Sequence, residues 1–170
     1  KMTIFGTGVM ADAVKEEYAS NKYRIVTPWI TIKDEITQIV IEDGITGIGA
    51  ILFRDFGQLV SVDIPESVVT IGESAFSGCS SLTSITIPKN VSYIGKNAFR
   101  GCTSVTSIIV DKNNPCYDSR DNCNAIISND TLKIGCQKSI IPQGVTSIED
   151  SAFENCTSLK FIKLPSGIKK

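Results

Sequence analysis

Residues 82–102 read LTSITIPKNVSYIGKNAFRGC, and this stretch decides the fold. Its apolar phase recurs at a step of 23 residues, with one longer step of 31 between Val105 and Cys136. Self-similarity at such a period is typical of a solenoid built from stacked coils. The first apolar position of the successive coils is held by Ile36, Leu59, Leu82, Val105, Cys136 and Leu159.

The spacing inside one unit predicts its local structure. In Leu82-x-x-Ile85-x-Ile87 the two isoleucines alternate with polar residues, as on a β-strand with one buried face. A single short strand cannot bury that face, whereas stacked coils bury each face against the next. A proline follows the strand, where a missing ladder donor is tolerated. Gly72 and Gly95 directly follow Ile71 and Ile94, and there we expect a sharp bend of the backbone.

The aromatic residues of the unit share one phase. Phe76, Phe99 and Phe153 each follow an alanine at equivalent positions. We therefore predict that the three rings stack in one buried column. On this reading, Phe99→Ala leaves a cavity that costs about 3–5 kcal/mol of stability.

The unit resembles the BspA-like (Treponema pallidum type) leucine-rich repeat in three motifs: Leu82-x-x-Ile85-x-Ile87-Pro88, Val91-x-x-Ile94-Gly95 and Ala98-Phe99-x-x-Cys102. The resemblance implies a right-handed leucine-rich-repeat solenoid of the α/β class, rich in β-structure. A parallel concave sheet of short strands is expected, with short strands, turns and short helices on the returning side. The resemblance also implies a surface or secreted protein of a host-associated bacterium, with adhesion to host proteins and without catalytic residues.

Two parts of the chain are expected. Residues 1–35 form a β-type N-terminal capping segment, and residues 36–170 hold the repeats of about 23 residues. The long repeat, 105–135, carries eight extra residues, which we predict to project as a hairpin insert without breaking the stack. The last coil stops before its alanine, phenylalanine and cysteine, so we expect a C-terminal end truncated mid-repeat. Its open edge would permit end-to-end self-association.

Composition excludes several classes of function. The chain has no histidine, which rules out histidine triads, general bases and metal ligands. The net charge of -1 gives no basic footprint for nucleic acid, and no apolar run reaches the roughly 20 residues of a membrane span. Gly6-Thr-Gly8 imitates a dinucleotide fingerprint, but the next candidate strand, 23–27, ends in Pro28 rather than near an acidic residue. We expect no enzyme and no cofactor.

The cysteines favour packing over chemistry. Cys79, Cys102 and Cys156 occupy the repeat position that Phe56 fills in the first coil, which favours small buried apolar side chains. A disulfide between Cys79 and Cys102 of adjacent coils is compatible with the expected geometry.

The insert adds three further cysteines, Cys116, Cys123 and Cys136. A disulfide among them stays open for an extracellular protein, whereas zinc is disfavoured because no Cys-x-x-Cys pair occurs. The oxygen-rich stretch 111–122 favours Asx turns over a calcium loop, since the order of ligands and the glycine of such a loop are missing.

The candidate binding site is the solvent side of the concave sheet, called the concave face below. Solenoids use such extended faces for recognition, although Ser and Thr also suit any exposed sheet. The expected function is a non-catalytic extracellular module that binds a host or bacterial surface protein or glycan. The alternative is a structural spacer without a ligand. The concave-face residues are Gln38, Val40, Ser61, Asp63, Ser84, Thr86, Ser107, Ile109, Phe161 and Lys163.

Overall fold

The computed structural model describes residues 1–19, 22–154 and 156–169. Within them it contains short strands and two single turns of 3-10 helix, at Lys33–Glu35 and Arg120–Asn122. The strands are β1 Met2–Ile4, β2 Gly8–Val9, β3 Val14–Ala19, β4 Lys22–Val26, β5 Gln38–Ile41, β6 Ile45–Ile48, β7 Ser61–Asp63, β8 Thr70–Ile71, β9 Ser84–Ile87, β10 Tyr93–Ile94, β11 Ser107–Val110, β12 Ala125–Ser128, β13 Thr131–Gly135 and β14 Ser147–Ile148.

The first strand of each coil pairs in parallel with its counterpart one repeat away. Ile39 of β5 lies beside Val62 of β7, and Ile85 of β9 lies beside Ile108 of β11, each pair 23 residues apart. The N–H of Thr83 donates to the carbonyl of Val60 at 3.1 Å and links the two pairs of strands. One repeat is therefore one coil of the predicted solenoid.

A second parallel sheet runs along the same stack in the order β10-β8-β6-β2. Ile48 pairs with Ile71, and Ile71 pairs with Ile94, again at the repeat spacing. Between the two sheets the coils bury one continuous apolar cluster that extends from Ile36 to Val110 and also includes Ile126 and Cys136. Burial of this shared interior, which no coil achieves alone, holds the stack together.

The N-terminal residues run alongside the first repeat. Strand β1 pairs in parallel with β5, and β2 pairs with β6. The turn between β1 and β2 contains Gly6, with φ 144°, and Gly8 has φ 88°. A dinucleotide fold requires a helix after such a turn, but residues Val14–Ala19 form strand β3, antiparallel to β4. The glycine pair thus belongs to the connection between β1 and β2, two strands that pair with the first repeat.

The repeated glycines permit close approach of adjacent coils. A Cβ on Gly72 would lie 2.5 Å from the backbone nitrogen of Ala50, and a Cβ on Gly95 would lie 2.7 Å from the Cα of Glu73. The chain turns directly after each of these glycines, but neither glycine itself has a positive φ. The left-handed residue comes two positions after Gly72, at Ser74 with φ 54°.

A column of four aromatic rings runs through the core. The centroids of Trp29 and Phe53 are 5.3 Å apart, those of Phe53 and Phe76 are 5.2 Å apart, and those of Phe76 and Phe99 are 5.4 Å apart. The ring planes are near parallel, at 12°, 21° and 2°. At one end of the column, Trp29 Nε1 donates to the carbonyl of Leu52 at 3.2 Å.

The expectation that Phe153 joins this column is wrong. Phe153 packs in a second apolar cluster, and its ring lies against Gly135. The N–H of Gly135 donates to the carbonyl of Ala152, as the N–H of Phe76 donates to that of Ala98 in the regular coils. A glycine thus stands where the repeat would supply a phenylalanine, and the column has no ring to continue it.

The hairpin of the long repeat belongs to the core, so the prediction that the extra residues project is wrong for this part. Strands β12 and β13 form an antiparallel pair, and β13 pairs in parallel with β14. Ile126 packs in the first apolar cluster, whereas its neighbours Ala125 and Ile127 pack in the second. Because successive side chains of a strand point to opposite faces, β12 forms a wall between the two clusters.

The residues before the hairpin replace the backbone contacts that a regular coil would make. Asn114 Nδ2 donates to the carbonyls of Pro88 and Val91, both at 2.8 Å. Tyr117 Oη accepts the N–H of Ile94 at 3.0 Å, and Asn114 Oδ1 accepts the N–H of Tyr117 at 2.9 Å. One side chain therefore satisfies several backbone groups at the edge of β10.

Asn114→Ala should lower the free energy of unfolding by about 1–3 kcal/mol, because the carbonyl of Val91 and the N–H groups of Cys116 and Tyr117 lose their partner. Chemical denaturation measures this loss. The matched control is Asn113→Ala, since Asn113 is exposed, and we expect it to change stability by less than about 0.5 kcal/mol. Equal losses for the two variants would show that the insert is not anchored through Asn114.

Candidate functional site

The first four residues of the concave face lie in register on two strands. Gln38 sits beside Ser61 and Val40 sits beside Asp63 on β5 and β7. Gln38 Nε2 lies 3.5 Å from Asp63 Oδ2, so the amide also reaches diagonally across the pair. Asp63 is exposed, and the other three side chains are half-buried.

The next four residues form the same arrangement on β9 and β11. Ser84 pairs with Ser107, and Thr86 pairs with Ile109. Ser84 and Thr86 are exposed, and Ile109 is 53% exposed. Their buried strand neighbours anchor the backbone in the core, so these side chains stand on a rigid support. Of the eight residues on the two strand pairs, Asp63 alone carries a charge, and hydroxyl groups dominate.

The insert interrupts the ladder after β11. Ser119 Oγ accepts the N–H of Val110 at 3.0 Å, and Asn124 Oδ1 accepts the N–H of Ile108 at 3.4 Å. Side chains of the insert thus occupy the place of the next strand. The predicted members Phe161 and Lys163 lie beyond this interruption, and the structure does not bring them beside the other eight. Phe161 is 86% exposed.

Two further positions were missed by sequence reasoning. Thr3 of β1 pairs with Val40 and extends the ladder in the N-terminal direction. Ile140 has the repeat phase of Ile109 and is 64% exposed, but like Phe161 and Lys163 it lies beyond the interruption. The phase of Cys136-x-x-Ser139 would have identified Ile140, whereas residues 1–13 carry no repeat signal that could have identified Thr3.

The thiols take part in the packing between coils. All six cysteines are unpaired. Cys79 Sγ donates to the carbonyl of Phe53 at 3.2 Å, and Cys102 Sγ donates to the carbonyl of Phe76 at 3.3 Å. Burial raises the pKa of the Cys102 thiol to about 12 and raises the pKa of Cys79 as well. Thiols held in the protonated form are poor nucleophiles and poor metal ligands.

Native-state alkylation should discriminate sharply among the cysteines. At pH 8, iodoacetamide should label the exposed Cys116 first and leave Cys79 and Cys102 unlabelled, because burial and a raised pKa both deny these two a reactive thiolate. Peptide mass spectrometry after timed quenching measures the labelling. Cys116→Ser should remove the fast phase. Labelling of Cys79 at the rate of Cys116 would contradict the packing described here.

Two carboxylates of the insert, those of Asp118 and Asp130, are bound by Arg120. Arg120 donates to both oxygens of Asp118, at 2.8 and 2.6 Å, and to Asp130 at 2.9 Å. The hydrogen bonds from Arg120 hold the pKa of Asp118 below its usual value. Among the described residues, no group of three or more His, Cys, Asp or Glu side chains is placed to hold a metal ion. The same residues contain no helix of the length and apolarity needed to cross a membrane.

Parallel strands paired at the repeat spacing, the aromatic column and the row of buried thiols define a leucine-rich-repeat solenoid. The model of the BspA type leucine rich repeat region matches residues 32–124 and 125–170, with six copies. The chain belongs to this family.

Several solved structures of bacterial repeat proteins are similar to the chain. A leucine rich cell surface protein from Faecalibacterium prausnitzii is 27% identical, with a TM-score of 0.58 over 79% of this chain and 43% of its own. The pneumococcal vaccine antigen PcpA is 22% identical, with a TM-score of 0.60 over 79% of this chain and 41% of its own. A leucine-rich repeat protein from Eubacterium ventriosum is 22% identical, with a TM-score of 0.48 over 98% of this chain and 55% of its own. The chain thus spans about half the length of these relatives. No curated protein matches it.

Proposed function

We propose that the chain is a non-catalytic module of a surface or secreted protein and that its concave face binds a protein or glycan of a host or bacterial surface. One observation carries the proposal. Eight predicted side chains, from Gln38 to Ile109, lie on two pairs of strands whose registers align them in two rows. Such rows present a fixed pattern of donors and acceptors to a ligand.

The chemistry of the rows suits a neutral polar ligand. Ser84, Ser107 and Thr86 offer hydroxyl groups that both donate and accept, and Ile109 adds an apolar contact. Because the backbone is held by its ladder and core, little conformational entropy is lost when a ligand binds. Both an extended protein segment and a glycan carry matching groups along one direction.

Family membership supports the surface location. One similar structure is described as a cell surface protein and another as a vaccine antigen. We extend this location to the present chain. An adhesive role follows if the partner lies on a host or on another bacterium.

The structural spacer remains the second candidate. Its supporting observation is the weakly charged surface of a chain with net charge -1, in which Ser and Thr suit an exposed sheet without any ligand. A spacer would present other segments of a longer surface protein and would itself contact nothing.

A binding screen separates the two candidates. The isolated chain is applied to arrays of host surface proteins and of glycans, beside Thr86→Arg, which places a long cation in the centre of the concave face. The binding module predicts hits that Thr86→Arg loses. The absence of any hit that depends on the concave face would favour the spacer.

A further inference from the structure

A second candidate binding site lies away from the concave face, on the returning side of the coils. Here a cleft of about 640 Å³ opens between the segment around Phe99 and the segment around Ala152. Ile94, Phe99 and Val105 line one wall, and Ile134 and Gly135 line the other. This volume lies within the range of pockets that hold small or peptide-sized ligands.

The returning sides of regular coils are joined by a fixed ladder of backbone hydrogen bonds. Each coil offers three N–H groups at alternate residues, and the next coil supplies three carbonyls at alternate residues. From the first coil the N–H groups of Ile51, Phe53 and Asp55 donate to the carbonyls of Glu73, Ala75 and Ser77, at 2.9, 2.8 and 2.7 Å. From the second coil those of Ser74, Phe76 and Gly78 donate to the carbonyls of Lys96, Ala98 and Arg100, at 3.0, 2.8 and 2.7 Å.

In the third coil the equivalent donors are Asn97, Phe99 and Gly101, and their N–H groups have no hydrogen-bond partner among the described residues. Their conformation is nevertheless that of the bonded coil. Asn97 has φ 60° and Gly101 has φ 77°, against 54° and 79° at Ser74 and Gly78. The three donors thus keep the conformation of the bonded coils, and Asn97 and Phe99 line the cleft. Unpaired N–H groups in a partly buried place cost free energy until an acceptor arrives.

The hairpin of the long repeat explains why the third coil lacks this row of backbone hydrogen bonds. On the side of the second sheet, β12 and β13 are inserted between the third coil and β14. On the returning side, the N–H of Gly135 donates to the carbonyl of Ala152 in the next coil. The inserted strands hold the coils apart on their side, and the returning side is left open as the cleft.

Polar contacts join the two walls at the rim and keep the cleft from collapsing or widening. Arg100 forms an ion pair with Glu154, and Gln137 Nε2 donates to the carbonyl of Thr103. Below the rim, the ring of Phe99 ends the aromatic column, with Phe76 stacked on its other side. The cleft therefore combines unpaired backbone donors with the end of the aromatic column, where Phe99 is 5% exposed.

We propose that this cleft binds a segment of a second polypeptide that folds as the returning side of a coil and supplies the missing row of acceptors. Carbonyls at alternate residues of that segment accept the N–H groups of Asn97, Phe99 and Gly101, and one aromatic side chain stacks on Phe99. Residues 73–78 of the second coil have this conformation, a series of turns with φ 54° at Ser74 and 79° at Gly78, and their carbonyls accept the equivalent donors of the first coil. The bound segment continues the interface that already joins the first three coils.

The chain itself supplies the probe. Residues 72–79 of the second coil carry the carbonyls that accept the equivalent N–H groups of the first coil, together with a phenylalanine. The probe is a synthetic peptide with this sequence, in which Cys79 is replaced by serine. Titration into the full ¹⁵N-labelled chain should shift the amide signals of Asn97, Phe99 and Gly101 in a saturable manner. Hydrogen exchange of these amides should be fast in the free protein and should slow on binding, whereas the amide of Phe76 should be protected throughout.

The control peptide has its phenylalanine replaced by alanine and should bind about tenfold more weakly, because it loses the ring contact with Phe99. A peptide of the same composition in scrambled order should not bind. Three results would overturn the proposal: no shift at the three amides, equal shifts with the alanine peptide, or slow exchange of the Phe99 amide in the free chain. Shifts confined to Thr86 and Ile109 would instead place the peptide on the concave face.

Discussion

Phe76→Ala should destabilise the chain by about 3–5 kcal/mol, the largest effect expected for any single truncation. The Phe76 ring is fully buried and stacks on Phe53 at 5.2 Å and on Phe99 at 5.4 Å. Removing it leaves a cavity between two rings that are held by their own coils. The lost stacking on both sides adds to the transfer free energy of the ring.

Urea denaturation followed by far-ultraviolet circular dichroism measures this loss. Phe161→Ala is the matched control, since the Phe161 ring is 86% exposed and its removal should change stability by less than about 0.5 kcal/mol. Phe153→Ala should fall between the two, because Phe153 is only half-buried and stands outside the column. A loss below about 1 kcal/mol for Phe76→Ala would contradict the stacked register of the coils.

Gly72→Ala should cost about 1–3 kcal/mol, at the upper end of that range. The added methyl group would lie 2.5 Å from the nitrogen and 2.8 Å from the Cα of Ala50, which are backbone atoms of the preceding coil. Backbone cannot rotate away as a side chain can, so the two coils must separate locally. The hydrogen bond from the N–H of Gly72 to the carbonyl of Ile48, 2.8 Å long, would be stretched.

Gly57→Ala provides the control for that substitution. A Cβ on Gly57 would meet nothing closer than Ser80 Oγ at 3.8 Å, and the φ of Gly57 is not positive. This variant should therefore range from neutral to about 1 kcal/mol more stable, through the lower entropy of the unfolded chain. If Gly72→Ala and Gly57→Ala had equal midpoints of thermal unfolding, the close approach of adjacent coils at Gly72 would be disproved.

The regular coils were predictable because their residues repeat in phase. Leu82, Ile85 and Ile87 are almost fully buried, and the 23-residue step appears directly as the register of Ile85 with Ile108. In such coils local pattern and long-range pairing carry the same information, since each contact joins equivalent positions. The rows of the candidate site on β5, β7, β9 and β11 follow from the same alternation.

The long repeat was not predictable in the same way. Its length shows that residues were added, but not whether they project or pack. Ile126 and Ile127 are consecutive buried residues, and this pattern fits a strand with apolar contacts on both faces as well as it fits a loop. Asn114 and Tyr117 act through side-chain bonds to the backbone of another coil, and no spacing rule predicts such bonds. The position of Phe153 failed for the same reason, because it depends on where the hairpin places Gly135.

The two proposed surfaces differ in physical character. The concave face offers exposed side chains on paired strands, whereas the cleft beside Phe99 offers unpaired backbone donors and a ring. A partner of the first surface would be recognised by hydroxyl groups, and a partner of the second by its backbone carbonyls. Failure of one site therefore leaves the other untouched, and substitutions on the concave face should not alter peptide binding in the cleft.

The most direct test of the proposed function compares two arginine substitutions of threonine. Thr86 is exposed on the concave face, and Thr46 is exposed on β6 of the second sheet, so the variants differ in the face that they change and not in their chemistry. The measurement is the dissociation constant for a partner found by array screening, by surface plasmon resonance on the immobilised chain. Recognition through the concave face predicts that Thr86→Arg weakens binding by about tenfold or more and that Thr46→Arg leaves it unchanged. Equal affinities of both variants and of the unsubstituted chain would contradict it.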